Sequence, residues 1–133
     1  MLQDFSHEVA FIMKTVLIVD DSDNMRMTIK ALVEANGYTV VGEAGDGRTG
    51  IELYQQLKPD IVTMDVVMHD MDGIEALKNI MLHDPNANVV MVSAMGQSLF
   101  VRDAIVAGAK GFIVKPFGEQ QIVETFSKVF RDL

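Results

Sequence analysis

The sequence predicts an α/β protein built on a parallel sheet that is covered by helices on both faces. Short runs of apolar β-formers alternate with helical stripes, each run stops at a polar residue, and the breaks between them are short. Strands are predicted over Thr15–Val19, Thr39–Ala44, Asp60–Met64, Asn88–Val92 and Gly111–Val114. Most of these runs are nearly all apolar, the mark of strands buried on two sides. Between them apolar residues recur at helical spacing. The first stripe is Met25, Ile29, Leu32 and Val33, with Ser22 or Asp21 as its cap and Asn36-Gly37 as its stop. The second is Ile51, Tyr54 and Leu57, and the third is Ile74, Leu77 and Met81. The fourth is Val101, Ala104 and Ile105, closed by Gly108. The last is Ile122, Phe126, Val129, Phe130 and Leu133. Five β-then-α units with right-handed crossovers make a doubly wound sandwich.

Composition narrows the function. A chain of 133 residues reads as one domain with room for a core, and too short for a second output domain. A formal charge of −8 without a Lys/Arg cluster argues against a nucleic-acid surface. There is no cysteine, which removes disulfides and thiolate metal sites. No apolar run is long enough for a bilayer, and the first residues lack the basic and apolar regions of a leader, so the cytoplasm is the expected location and no membrane insertion is expected. The methionines at 64, 68, 71, 81, 91 and 95 read as packing, whereas one of Met25 and Met27 is expected to face outward.

The polar residues that stop the strands carry the chemistry. Asp20-Asp21 follows TVLIV, Asp65 follows DIVTM, Ser93 follows NVVMV, and Lys115-Pro116 follows GFIV. Ligands of open α/β sheets collect at the carboxyl ends of the strands, so these groups are expected on one rim. Three carboxylates, a hydroxyl and an ammonium suit a divalent cation and a phosphoryl group. Singly, each has a plainer role: the Asp pair as a helix cap, Ser93 as a partner for strand-end backbone, Lys115 as a solvated cation.

The segments VLIVDDS, KPDIVTMDVVMHDMDGIEAL, VVMVSAMG and AGAKGFIVKPF, in that order and spacing, resemble a response-regulator receiver domain from about Lys14 onward. The likeness is greatest to the single-domain chemotaxis regulators that signal to the flagellar motor. It implies a flavodoxin-like three-layer sandwich of five parallel strands in the order 2-1-3-4-5, an order also known from chemotaxis regulators. It implies that Asp65 accepts a phosphoryl group from a histidine kinase, and that Mg²⁺ is held by Asp21, Asp65 and the backbone carbonyl of Val67, with Asp20 acting through water. Lys115 would neutralise a phosphoryl oxygen and Ser93 would donate a hydrogen bond to another. The Lys115-Pro116 bond resembles the family's cis peptide. Ser93 and Phe112 would form the switch, read by a flagellar motor switch protein or another output target. Such a protein is a signalling phosphoacceptor and not an enzyme in the ordinary sense.

Four positions depart from the family pattern. Phe112 lacks the hydroxyl of the Tyr often found there, so its signal rests on packing. His69 replaces a common Pro, losing a fixed φ and gaining a titratable ring. Val67 and Met95, at positions that influence acyl-phosphate hydrolysis, are apolar and orient no water, which implies slow self-dephosphorylation and a separate phosphatase. Two other functions stay open: a phosphorelay intermediate serving a histidine phosphotransfer domain, and an Asp-nucleophile phosphatase using the D-x-D formed by Asp21, Ser22 and Asp23. An FMN protein is disfavoured by the acidic DDSDNM loop, which repels a phosphate. Residues 1–13 are expected to be an N-terminal extension of the receiver domain at 14–133. Their Phe5, Val9, Phe11 and Ile12 fit disorder, a packed extra turn or a partner-binding segment, and Met13 fits an alternative start.

Overall fold

The structure, a computed structural model, describes residues 14–131; the expectations for residues 1–13 and Leu133 lie outside them. Strands β1 (Thr15–Val19), β2 (Thr39–Ala44), β3 (Ile61–Met64), β4 (Val89–Ser93) and β5 (Gly111–Val114) alternate with helices. The helices are α1 (Asp23–Glu34), α2 (Gly47–Leu57), α3 (Gly73–His83), α4 (Ser98–Ala107) and α5 (Glu119–Arg131). The strands form one sheet in the order β2-β1-β3-β4-β5, and every pairing is parallel. This is the predicted doubly wound fold.

Side-chain alternation along each strand divides the core between the two faces. Leu17, Val19, Val62, Met64 and Met91 point to one side, where they bury Tyr54 of α2, Ile74 and Leu77 of α3, and Ala104 of α4. Val16, Ile18, Ile61, Val90, Val92 and Ile113 point to the other, against Ile29 and Val33 of α1 and Ile122, Phe126 and Val129 of α5. Phe126 is fully buried and meets Tyr38 edge to face at 5.1 Å. Truncating a buried Phe costs about 3–5 kcal/mol, so this one residue is a large share of the stability of the second face.

Local chemistry moves a few boundaries. Strand β3 begins at Ile61, one residue later than expected, because Asp60 is engaged through its side chain. Its carboxylate accepts the Thr15 N–H at 2.8 Å and the Thr15 hydroxyl at 3.1 Å, and its own N–H donates to Thr15 Oγ1 at 3.0 Å. Strand β4 runs Val89–Ser93, so Ser93 is its last residue and not the first of a loop. Ser22 caps α1 by accepting the Met25 N–H at 3.1 Å. Asn36 and Gly37 follow that helix, with Gly37 at φ 91° in the left-handed region that suits glycine. Gly108 closes α4 at φ 115°. Leu57 and Ile105 belong to the predicted stripes yet are exposed, both near the ends of their helices. Met27 is the outward-facing member of its pair.

Candidate functional site at the carboxyl ends of the strands

Parallel register places the polar strand-end residues side by side. Val19 pairs with Met64, so Asp20 and Asp65 leave adjacent strands together. Ser93 pairs with Val114, which sets Lys115 next to the end of β4. Backbone bonds extend the sheet one residue past its strands: the Asp20 N–H donates to Ala44 O, Asp65 N–H to Val19 O, and Lys115 N–H to Ser93 O. Four residues from distant parts of the chain therefore sit on a fixed rim.

Asp20, Asp65 and Ser93 are buried, while Asp21 is exposed. Carboxylate oxygens of Asp20, Asp21 and Asp65 lie within 4.8 Å of one another. Lys115 Nζ donates to Asp20 Oδ2 at 2.8 Å and to Asp65 Oδ2 at 3.4 Å. The second Asp20 oxygen accepts the Ser22 N–H at 2.9 Å, so both oxygens of that residue are already engaged. Burial pushes the Asp65 carboxyl above its usual range and the Asp20 charge adds to this, while the Lys115 ammonium opposes it. Two unit charges ~4 Å apart repel by roughly 4 kcal/mol at an effective dielectric of 20. One ammonium among three carboxylates leaves an excess of negative charge. Oxygen donors in that number suit a hard divalent cation of the Mg²⁺ type.

Ser93 Oγ accepts the Met95 N–H at 3.1 Å, an arrangement that orients the hydroxyl and keeps its proton available to donate. The peptide between Lys115 and Pro116 is cis. Phe112 is half-buried and packs against the cluster that contains Met91, its register partner, and Ala104. Val67 is exposed at 57 % on the loop that follows Asp65. His69 Nδ1, on the same loop, is 3.5 Å from Asp21 Oδ2. A cleft of about 500 Å³ bounded by Tyr54, Lys58, His83 and Asp84 holds none of these residues.

The supporting residues were less legible in the sequence. Asp70 accepts the N–H groups of Gly47 and Arg48 at 2.9 Å each, so the loop after β3 caps α2 from a distance. Slight burial works against its charged form, but these N–H bonds prevail and hold its carboxyl below the usual range. Arg26 donates to the backbone carbonyl of Asp20 at 2.6 Å and pairs with Glu43 and Asp23, which ties α1 and β2 to the acidic loop. Gly73 lets α3 start against Asp65 itself: a Cβ there would stand 1.7 Å from the carbonyl oxygen of that residue. Asp70 bonds to backbone 23 and 22 residues away and Arg26 reaches Glu43 17 residues away, and no local pattern in the sequence signals either contact.

The response regulator receiver domain family matches residues 16–127. The chemotaxis protein CheY of Thermotoga maritima is 55% identical over 116 residues, which is 87% of this chain and 97% of that protein. CheY of Bacillus subtilis is 51% identical over 85% of this chain and 94% of its own length. Among solved structures, the CheX–CheY–BeF3–Mg²⁺ complex from Borrelia burgdorferi superposes with a TM-score of 0.86 at 39% identity, covering 88% of this chain and 89% of that one. The response regulator domain of Thermotoga maritima CheB gives a TM-score of 0.77 at 39% identity over 90% of this chain and 95% of that one.

Proposed function

This chain belongs to the response regulator receiver domain family, and from that we propose that it is a chemotaxis regulator of the CheY type that accepts a phosphoryl group on Asp65 and signals by changed protein binding. One observation carries the reading. Asp65 is buried, with two further carboxylates within 4.8 Å and the Lys115 ammonium at 3.4 Å, where an anionic acceptor can be charge-balanced.

An oxygen of Asp65 attacks phosphorus on a kinase phosphohistidine; the P–N bond breaks, its electron pair stays on the imidazole, and an acyl phosphate forms. Mg²⁺ bound at this rim supplies positive charge that permits one anion to approach another. Asp21, Asp65 and the Val67 carbonyl are the residues that would hold it. Asp20, with one oxygen on Lys115 and one on the Ser22 N–H, suits an indirect role through water. Lys115 balances the incoming charge, and Ser93 donates its hydroxyl proton to a phosphoryl oxygen. The relative solved with BeF3 and Mg²⁺ is consistent with a cation and a small tetrahedral group at such a rim.

Output would follow from Ser93 and Phe112. Drawing the Ser93 hydroxyl toward a phosphoryl group changes the space beside the half-buried Phe112 ring, biasing a two-state equilibrium in the packing around β4 and β5. Leu99, Ile105 and Val114 are exposed on α4 and β5 and suit a protein partner such as a flagellar motor switch protein. The Asp-nucleophile phosphatase is less well supported, because Asp23 is exposed and paired with Arg26. No helix among the described residues is long and apolar enough to cross a membrane, and we place the protein in the cytoplasm.

The function is tested by radiolabelled transfer from an autophosphorylated chemotaxis histidine kinase. Label should reach the wild type and not Asp65→Asn. A later chase onto a histidine phosphotransfer domain would instead identify a relay intermediate, and no transfer to the wild type would reject the kinase-substrate reading.

A further inference from the structure

His69 stands beside the acidic rim without belonging to the expected ligand set. Its Nδ1 is 3.5 Å from Asp21 Oδ2. In an octahedral site with bonds of 2.0–2.1 Å, neighbouring donor atoms are about 3.0 Å apart and opposite ones about 4.2 Å. The separation of this nitrogen from the Asp21 oxygen lies between those limits, but the ring stands outside the group of Asp20, Asp21 and Asp65 oxygens that lie within 4.8 Å of one another, so it reaches a cation shared with them by turning toward the rim.

The loop holds the ring close to the rim from both sides. Met68, just before it, is buried in the core, and Asp70, just after it, is fixed by the N–H groups of Gly47 and Arg48. The imidazole itself is 77% exposed, so it gives up little packing by turning onto a cation. Carboxylate, carbonyl and water oxygens suit Mg²⁺ and Mn²⁺, whereas an imidazole nitrogen adds affinity for later first-row ions such as Co²⁺ and Ni²⁺.

We propose that His69 is a metal-specificity residue, a nitrogen donor beside Asp21 that shifts this pocket from Mg²⁺ toward later first-row divalent cations. The inference rests on the reading of the carboxylate cluster as a cation site, and its test separates the two.

Calorimetric titration of wild type and His69→Gln with Mg²⁺ and with Co²⁺ gives the selectivity directly. Removing the donor should weaken Co²⁺ binding roughly tenfold or more while Mg²⁺ binding changes far less. Pulsed electron paramagnetic resonance of the Mn²⁺-loaded protein should detect a directly bound nitrogen in the wild type that is lost in His69→Gln, and excess Mg²⁺ should displace the Mn²⁺. His83→Gln and His7→Gln serve as controls and should keep the nitrogen signal. Mn²⁺ that binds and yields to Mg²⁺ but shows no nitrogen coupling would overturn the role of His69 and leave the carboxylate site standing. A nitrogen signal that survives His69→Gln would overturn it as well. Failure of the wild type to bind any of these ions would overturn both readings together.

Discussion

At Asp65 the physics of one buried carboxylate can be tested apart from its phosphorylation. Its carboxyl is raised in the folded protein by burial and by Asp20. A group raised on folding contributes stability that is complete below its unfolded pKa and is lost as pH rises through the folded one. Above the folded pKa that contribution is gone, and Asp65→Asn should therefore raise the metal-free melting temperature there, by roughly 3–5 °C for each kcal/mol relieved. The gain should fade toward acid pH, where the wild-type carboxyl is itself protonated. A melting temperature that falls above the folded pKa would mean that Lys115 outweighs burial. Under the proposed function, Val67 and Met95 would bear on a different property, the lifetime of the acyl phosphate. Neither side chain can orient a water, so Val67→Asn combined with Met95→Glu should speed decay roughly tenfold or more. Rapid wild-type decay that the double substitution leaves unchanged would reject this assignment.

At the scale of elements, the loop after β3 and the start of α2 act as one unit, joined by Asp70. Asp70→Ala removes two N–H bonds from a helix start, for which a loss of about 1 kcal/mol is expected in urea denaturation. Because the same loop carries Val67 and His69, divalent cation affinity should fall too; an unchanged affinity would show that the loop holds its shape without the clamp. Strands and helices were readable from the chain because their patterns are local. TVLIV and NVVMV can bury two faces only in a sheet, and the Ile122, Phe126, Val129 stripe fits only a helix packed on one side. The exact start of β3 was not readable, since Asp60 is drawn out of the ladder by Thr15, 45 residues away. The Asp70 clamp escaped for the same reason, its partners being 23 and 22 residues distant.

For the whole molecule, fold and site are coupled through the repulsion that the sheet enforces. Asp20, Asp21 and Asp65 are brought within 4.8 Å by strand register, so a bound divalent cation relieves a cost that the unfolded chain does not bear. Mg²⁺ at 100 times its Kd should add about 2.7 kcal/mol of stability through linkage. The melting temperature should rise with Mg²⁺ more steeply in the wild type than in Asp21→Asn, and equal slopes would remove Asp21 from the ligand set. The convergence of the rim was legible because strand ends in a parallel sheet share one edge, whereas the Arg26 and Asp70 supports depended on tertiary contacts. The central claim is that these groups make Asp65 a Mg²⁺-dependent phosphoacceptor. Incubation with Mg²⁺ and acetyl phosphate, followed by mass mapping of the acid-stable, base-labile adduct, tests it most directly. One phosphoryl group on Asp65, absent in Asp65→Asn and without Mg²⁺, is the expected result; an adduct on Asp21, or one that forms equally well without the metal, would contradict it.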